Sequence, residues 1–170
     1  MNRNEIFPLV DEDGNVIGKA TRNECHSGSM LLHPVVHLHV INDKGELYLQ
    51  KRSINKDIQP GKWDTSVGGH VDYGETIEEA LMREAYEELG LKVENPALLF
   101  KYVFQSDIEK ELVNAFLVKC EGEPVFKYDP EEIDDGRFWR QEDIEENIGK
   151  GIFTPNFEQE YVKLRQAIAG

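Results

Sequence analysis

Three glutamates near the end of a short predicted helix are the residues of this chain best suited to chemistry. Glu84, Glu87 and Glu88 fall on one narrow arc at about 100° per residue. Carboxylates crowded near the negative end of a helix dipole repel one another and destabilise the fold. Mg²⁺ would reverse that balance, because it prefers hard oxygen ligands. A solvated acidic helix face is the alternative interpretation.

The residues around these glutamates predict where the helix begins and ends. Thr76 and Glu79 form a capping box, which predicts the start of the helix. Gly90 is placed to end it in a left-handed conformation. A glycine-rich loop, residues 69–74, leads into it. The arc next to the glutamates is apolar and is expected to face the core: Leu81, Ala85 and Leu89.

The whole segment resembles the Nudix box, whose pattern is a glycine, five residues, Glu, seven residues, then Arg-Glu-aliphatic-x-Glu-Glu-x-Gly-aliphatic. The matching residues are Gly69, Glu75, Arg83, Glu84, Ala85, Glu87, Glu88, Gly90 and Leu91. A pattern with so many fixed positions is far more specific than a single glycine motif. The resemblance implies a hydrolase that cleaves a diphosphate linked to another moiety, with Mg²⁺ or Mn²⁺ as its cofactor. It also indicates that the acidic face is a metal site.

The resemblance implies a role for each matching residue. Glu84, Glu87 and Glu88, with the backbone carbonyl of Gly68, would hold the metal, and Glu84 or Glu87 would act as general base. Glu75 and Arg83 are assigned to the catalytic set. They are expected to pair and to fix the loop against the helix, although Arg83 could instead contact phosphate. A further acidic ligand is expected from a later loop, with Glu132 favoured over Glu111.

A longer stretch, residues 10–160, resembles the branch of the family that contains isopentenyl-diphosphate isomerase. The matching segments include Cys25-His26, residues 49–53, residues 60–63 and residues 66–70. The resemblance implies a second metal site, suited to Zn²⁺ or Mn²⁺, built from His26, His33, His70, Glu109 and Glu111. It also implies that three residues bind the substrate: Lys51, Arg52 and Tyr102.

Two positions depart from the isomerase pattern. The isomerases use a Cys two residues before the third histidine, and this chain has Gly68 there, which cannot transfer a proton. Their carbocation-facing Trp is replaced by Asn156, which offers no π face. Hydrolysis of a nucleoside diphosphate derivative or another X-linked diphosphate is therefore the predicted activity. An isomerase and a Nudix-fold binding module without turnover stay as alternatives.

The composition of the chain limits the classes of partner that it is expected to bind. The chain has 170 residues and a net charge of −14, which disfavours a nucleic acid polymer and favours a small phosphorylated substrate neutralised by metal. Two cysteines, the lack of a long apolar run and an N-terminus without a signal pattern predict a cytoplasmic protein that does not enter a membrane. Oligomeric state is open, and a homodimer is one alternative.

The remaining pattern predicts a mixed sheet sandwiched between helices, an α/β/α arrangement of the Nudix type. We expect a single domain, residues 1–170, with an N-terminal β-hairpin extension. Asn156 is expected to cap a final helix whose apolar stripe faces the core. The predicted strands are residues 6–10, 16–20, 31–41, 46–51, 97–105, 111–119 and 137–140, and residues 141–146 form one helical turn or a loop.

Overall fold

The computed structural model describes residues 5–56, 58–122 and 124–169. Strands and helices alternate along this part of the chain. The strands are β1 (Ile6–Val10), β2 (Val16–Thr21), β3 (Leu32–Ile41), β4 (Leu47–Arg52), β5 (Trp63–Asp64), β6 (Val67–His70), β7 (Ala97–Gln105), β8 (Lys110–Lys119) and β9 (Ile133–Trp139). The helices are α1 (Arg22–Cys25), α2 (Ile77–Leu89), α3 (Gln141–Asn147) and α4 (Pro155–Ala169).

Seven of these strands form one mixed sheet. Its main path is β5-β4-β3-β8-β7, with β6 added to β3 and β9 added to β4. β3 and β8 run parallel along their full length, and the other neighbours are antiparallel. Because side chains alternate across a strand, β3 presents different residues to the two faces of the sheet.

The two faces of β3 pack against different helices. Val36, Leu38 and Val40 lie in one core cluster with the apolar arc of α2. The opposite face of β3 carries His37 and His39, which contact Glu160 of α4. A second apolar cluster covers that side of the sheet, formed by Leu47, Leu49, Trp139, Ile144, Phe153, Phe157, Tyr161 and Leu164. The predicted α/β/α sandwich is therefore confirmed.

The N-terminal hairpin predicted from the sequence is present as β1 and β2, paired in antiparallel register. Phe7, Ala20 and Cys25 form a small separate cluster beneath it. β1 also packs against β3, so the hairpin covers one end of the large sheet. The assignment of the whole chain to one domain stays a prediction.

Several details differ from the sequence-based expectation. α1, β5 and β6 are not predicted from the sequence, because none is long enough to show a period. β9 begins at Ile133 instead of residue 137. The predicted cap at Asn156 is wrong, since α4 begins at Pro155 and the Thr154 hydroxyl accepts the Phe157 N–H. Proline suits the first position of a helix because its missing N–H would have no partner there.

Among the helices described, none is both long and apolar enough to span a bilayer.

Candidate active site and histidine cluster

The acidic helix α2 has the bounds that its capping residues predict. Thr76 and Glu79 make both bonds of the capping box, and Gly90 ends the helix at φ 65°. No basic residue stands in the last turn of α2, so the glutamates there are not neutralised by a lysine or arginine of that turn. β6 runs beside β3 and brings Gly68 and Gly69 next to this end of the helix.

Glu84 and Glu88 are crowded together in a half-buried place. Burial raises the pKa of Glu84, and burial together with a hydrogen bond that Glu88 donates to Glu84 raises the pKa of Glu88 well above its usual value. The Gln50 amide donates a 3.0 Å hydrogen bond to Glu88 Oε1, and the Gly68 N–H also bonds this carboxylate, which opposes the shift. Two half-buried carboxyl groups in contact repel one another when both are ionised, and a bound cation would offset that repulsion.

The donor set at this end of α2 fits a divalent cation. Glu84, Glu87 and Glu88 line one pocket of about 400 Å³ together with Gly68. All the expected ligands are oxygen atoms, the type that Mg²⁺ and Mn²⁺ prefer. The Glu84 carboxylate occupies the space that a side chain at residue 69 would fill. A Cβ built on Gly69 would overlap that carboxylate. The sequence-predicted glutamates are thus brought together, and their role as metal ligands stays a prediction.

Arg83 joins the loop to the helix, which is the pairing expected from the sequence. Its Nε and Nη2 donate to the two oxygens of Glu75 at 2.8 and 2.9 Å, and Nη2 also reaches the His70 carbonyl at 3.1 Å. Nη1 contacts Glu84 at 2.5 Å and Glu87 at 3.2 Å. Neither Arg83 nor Glu75 is among the described residues that line the pocket. Their geometry suits a role in holding the glutamates, and their place in the catalytic set stays a prediction.

The basic side chains expected to bind substrate divide between two locations. Arg52 lines the pocket and lies 3.8 Å from Asp64. Lys51 precedes it on β4, so its side chain points to the opposite face. Tyr102 lies outside the described pocket lining, and its hydroxyl donates to Glu160 Oε1 at 2.6 Å. Glu132 does line the pocket, where it pairs with Lys56. Lys56 was missed because it lies in an irregular loop with no motif.

The three histidines of the second predicted metal site converge, although they are far apart in sequence. His26 Nε2 lies 3.2 Å from His70 Nε2. His26 Nε2 and His33 Nε2 lie 3.7 and 3.9 Å from Glu109 Oε1. One ligand atom from each of these four residues lies within 4.8 Å of all the others. The predicted convergence is confirmed for this group. Glu111 is more remote, at 4.0 Å from His33 Nε2.

The histidine cluster is built to present unprotonated nitrogens. His33 Nδ1 lies 3.0 Å from the Leu31 carbonyl, so Nδ1 carries the proton and Nε2 keeps a free lone pair. That Nε2 is buried without a hydrogen-bond partner in the described residues. Phe7 stacks on His70 with ring centroids 4.6 Å apart, which keeps water from one side. Burial lowers the pKa of His26, His33 and His70. Neutral imidazoles around an unpartnered nitrogen fit Zn²⁺ or Mn²⁺.

We expect His33→Ala to weaken Zn²⁺ binding at this cluster by at least about tenfold, because it removes one of four ligands. Glu78→Gln is the matched control, since Glu78 is exposed and belongs neither to the histidine cluster nor to the described lining of the glutamate pocket. Isothermal titration of the metal-free protein with Zn²⁺ measures both. Equal Zn²⁺ affinity and stoichiometry in His33→Ala and the unaltered protein would contradict the prediction.

A buried ion pair on the face of β3 that is turned away from α2 was not predicted from the sequence. His37 Nδ1 lies 2.7 Å from Glu160 Oε1, and His39 Nε2 lies 2.5 Å from Glu160 Oε2. Burial acts to lower the pKa of His37, but the charge of Glu160 prevails and raises it to about 9. The same contacts hold the pKa of Glu160 far below its usual value against the effect of burial. The sequence does contain a signal for this contact. Glu160 interrupts the apolar stripe of α4, and His37 and His39 share one face of β3.

Glu160→Ala is expected to lower the free energy of unfolding by about 3–5 kcal/mol, because it leaves a buried positive charge without its partner. Gln159→Ala on the exposed side of α4 is the control and should change stability by less than about 0.5 kcal/mol. Urea unfolding at neutral pH measures both variants. A loss below about 1 kcal/mol for Glu160→Ala would show that the pair adds little net stability.

Fold and pocket together define an α/β sandwich with a glycine-bounded acidic site at the end of one helix. A NUDIX domain matches residues 31–157. Isopentenyl-diphosphate Delta-isomerase 1 of Photorhabdus laumondii is 33% identical over 170 residues, covering 95% of this chain and 96% of that protein. A Listeria monocytogenes protein described as an uncharacterized Nudix hydrolase is 31% identical over 155 residues, covering 90% of each chain.

Similarity to solved structures agrees with these matches. The crystal structure of DR0079 from Deinococcus radiodurans superposes with a TM-score of 0.77 at 27% identity, covering 95% of this chain and 98% of that one. The chain belongs to the Nudix hydrolase family, in the branch that resembles isopentenyl-diphosphate isomerase.

Proposed function

We propose that the protein is a metal-dependent hydrolase that cleaves a diphosphate linkage in a nucleoside diphosphate derivative or another X-linked diphosphate. The observation that carries the proposal is the joint placement of Glu84, Glu87, Glu88 and Gly68 in one polar pocket. A purely structural helix face would not place two contacting carboxyl groups in a half-buried position, because their repulsion and partial desolvation destabilise the fold. Membership of the Nudix hydrolase family supports the same reaction class.

The cofactor in this proposal is Mg²⁺ or Mn²⁺, held by the three glutamates and the Gly68 carbonyl. When bound, such an ion neutralises phosphate charge and favours ionisation of water. We assign the general base to Glu87. Both side chains contact Arg83, but Glu87 is 53% exposed, whereas Glu84 is 17% exposed and also contacts Glu88. A base must reach the water whose proton it takes, and Glu87 is the more accessible of the two candidates.

In this proposal, different residues of the chain have different roles in hydrolysis. Glu87 accepts a proton as water oxygen bonds to phosphorus, and the P–O bond to the leaving group breaks. Arg52 and Lys56 supply positive charge along the pocket wall, where an anionic substrate must be held by a protein of net charge −14. The Glu75–Arg83 pair keeps the glycine-rich loop against α2, and so fixes Glu84 and Glu87 for the reaction.

Isopentenyl-diphosphate isomerisation is the second candidate function. It is favoured by the 33% identity to a protein of that name and by the histidine cluster. The pocket argues against it, because residue 68 is a glycine and provides no group to donate or remove a proton on a substrate alkene. Residue 156 is an asparagine and cannot stabilise a carbocation with a π face. A binding module without turnover is the third candidate function. Such a module would not need three acidic side chains around one pocket.

A panel of phosphorylated compounds tests the proposal. Nucleoside diphosphates, nucleotide sugars, dinucleotides and isoprenoid diphosphates are incubated with the protein and Mg²⁺ or Mn²⁺, and the products are separated by chromatography. We expect hydrolysis of at least one compound, its loss with a chelator, and no dimethylallyl isomer from isopentenyl diphosphate. Efficient isomerisation without hydrolysis of any compound would overturn the proposal.

We also propose that the substrate is small and that the protein acts in the cytoplasm. A net charge of −14 repels a nucleic acid polymer, whose binding rests on neutralising many phosphates with Lys and Arg. Both cysteines are free, which suits a reducing compartment. A homodimer is compatible with this function but is not required by it, since one chain supplies every residue of the pocket described above.

A further inference from the structure

The pocket that contains the three glutamates is lined almost entirely by polar side chains. Ligand pockets are usually lined mainly by apolar and aromatic groups, with a few polar groups among them. Here Ile133 is the single apolar side chain among the described lining residues, and it is buried. None of these residues is Phe, Tyr or Trp. The His37 ring is itself buried and offers little area to a flat ligand.

Two aromatic side chains adjoin lining residues of this pocket but are engaged elsewhere. Trp63 precedes the lining residue Asp64 on β5, and its ring packs against Trp139 at a centroid distance of 5.3 Å. The Tyr102 hydroxyl lies 2.6 Å from Glu160 Oε1. A nucleobase in the pocket would therefore lack the aromatic stacking that usually holds a base. An isoprenoid chain would place its apolar surface against polar groups, which gains little from burial.

The lining residues outside the glutamate site are rich in hydrogen-bond acceptors. Asp64, Asp129 and Glu132 contribute three carboxylates, and Arg52 and Lys56 contribute two positive charges. Arg52 Nη1 lies 3.8 Å from Asp64 Oδ2, and Lys56 pairs with Glu132. An ionised carboxylate can only accept hydrogen bonds, so these groups suit a ligand that donates them. Because the carboxylates outnumber the two cations, neutral hydroxyl groups suit this wall better than a further phosphate does.

Asn156 adds an amide to the pocket, and contacts outside the pocket hold it in place. It is the second residue of α4, and its Oδ1 lies 3.0 Å from the Tyr102 hydroxyl. The start of α4 is tied to the pocket wall by Thr154, whose hydroxyl donates to Asp64 Oδ1 at 3.2 Å. The contact with Tyr102 is the one side-chain hydrogen bond of Asn156 within the described residues. The other end of the amide can therefore bond a hydroxyl group of a ligand.

We propose that the moiety attached to the diphosphate is a small, hydroxyl-rich group without a nucleobase, such as a sugar. In this proposal Asn156 is a specificity-determining residue that hydrogen-bonds one of the hydroxyl groups. Tyr102 is the positioning residue that holds the Asn156 amide. The inference rests on the proposed function, since it takes the diphosphate to be bound at the glutamates. It deepens that function by naming the class of the attached moiety, which the glutamates do not contact.

Two five-carbon diphosphates test the class of the moiety on the unaltered protein. Ribose 5-diphosphate carries free hydroxyl groups on its carbon skeleton, and isopentenyl diphosphate carries none. We expect kcat/KM with Mg²⁺ to be at least about 100-fold higher for ribose 5-diphosphate, because a ligand without hydroxyls leaves the polar groups of the site unpaired. Addition of a base, as in cytidine diphosphate, should change kcat/KM by less than about threefold, since no stacking partner is present. Phosphate release in the presence of inorganic pyrophosphatase measures all three.

Asn156→Leu tests the residue, because leucine has a similar volume and no hydrogen-bonding group. Each hydroxyl of ribose 5-diphosphate is removed in turn by deoxygenation. For the unaltered protein we expect one deoxygenated compound to lose about 3- to 10-fold in kcat/KM, the usual effect of one neutral hydrogen bond. Asn156→Leu should hydrolyse that compound and its parent at rates within about twofold of each other.

Tyr102→Phe and Gln159→Leu complete the set of variants. Tyr102→Phe should reduce the discrimination between the same two compounds in part, whereas a merely structural tyrosine would lower kcat/KM equally for both. Gln159→Leu is the matched control, because it replaces an exposed amide on the same helix. It should leave the discrimination unchanged.

The comparison of compounds needs no variant, so it decides the class of the moiety even if Asn156→Leu does not fold. Hydrolysis of isopentenyl diphosphate as efficiently as ribose 5-diphosphate would overturn the inference and leave the proposed function standing. Hydrolysis confined to compounds that carry a base would do the same. Full discrimination retained in Asn156→Leu would overturn the role of Asn156. No hydrolysis of any diphosphate by the unaltered protein would overturn the proposed function itself.

Discussion

Replacement of Glu87 by Gln is expected to lower kcat by about 10²- to 10⁴-fold at saturating Mg²⁺, the usual effect of losing a general base. The fold should survive, because Glu87 is half exposed and its closest charged contact is Arg83 at 3.2 Å. Removing one of several neighbouring negative charges near the end of α2 should leave the stability of the metal-free protein unchanged or slightly higher. Steady-state hydrolysis and thermal unfolding measure the two effects separately.

Glu78→Gln is the matched control for this substitution. Glu78 lies in the first turn of the same helix and is exposed, and it is not among the described residues lining the pocket. Loss of its charge near the positive end of the helix dipole should cost about 0.3–1 kcal/mol of stability and leave kcat unchanged. Near-normal turnover by Glu87→Gln with saturating metal would remove Glu87 from the mechanism, and the same test would then pass to Glu84.

The parts of the fold that carry a strong period or a capping signal could be predicted from the sequence. The bounds of α2 follow from Thr76 and Gly90, and β7 has its predicted limits at residues 97–105. β5 and β6 could not be predicted in this way, because strands of two and four residues show no alternation to detect. They exist because β4 and β3 offer edges to pair with, which is a tertiary cause.

The contacts of the candidate sites also include some that the sequence predicts from local spacing and others that it does not. The glutamates of α2 could be placed together from helical geometry alone, and the convergence of His26, His33 and His70 followed from a family resemblance. The contact between Glu84 and Glu88 is local, four residues apart on one helix, whereas His26 and His70 are separated by 44 positions. Spacing within one element predicts the first kind of contact but cannot predict the second.

The expected substrate contacts stay predictions, because they depend on which face of the sheet a side chain occupies, and the sequence alone does not give that face. Lys51 and Arg52 are neighbours on β4, and just Arg52 lines the described pocket. Tyr102 was assigned to substrate, yet its hydroxyl contacts Glu160 of α4. No local pattern connects residue 102 to residue 160, so this contact required the packing of α4 against the sheet. A buried glutamate on an apolar helix stripe is the feature that would have indicated a partner on that sheet face.

Gly69→Ala is expected to lower kcat by about 10²-fold, although it adds a single methyl group and changes no charge. The new Cβ would overlap the carboxylate of Glu84, so either that side chain or the loop must move. A displacement of about 1 Å in a catalytic constellation can cost about a hundredfold in rate. The added volume should also lower the free energy of unfolding by about 1–3 kcal/mol, as overpacking usually does.

Gly18→Ala is the matched control, since it adds the same methyl group to another strand glycine. A Cβ at residue 18 would meet the Leu9 side chain at 3.8 Å, an ordinary contact. Its kcat should equal that of the unaltered protein. Hydrolysis rates and urea unfolding of the two variants measure both expectations. If Gly69→Ala kept its rate within a few-fold while losing stability, the Glu84 carboxylate would have room to move without consequence. Its place beside Gly69 would then be a matter of packing, and the assignment of Glu84 to the metal site would fail with it.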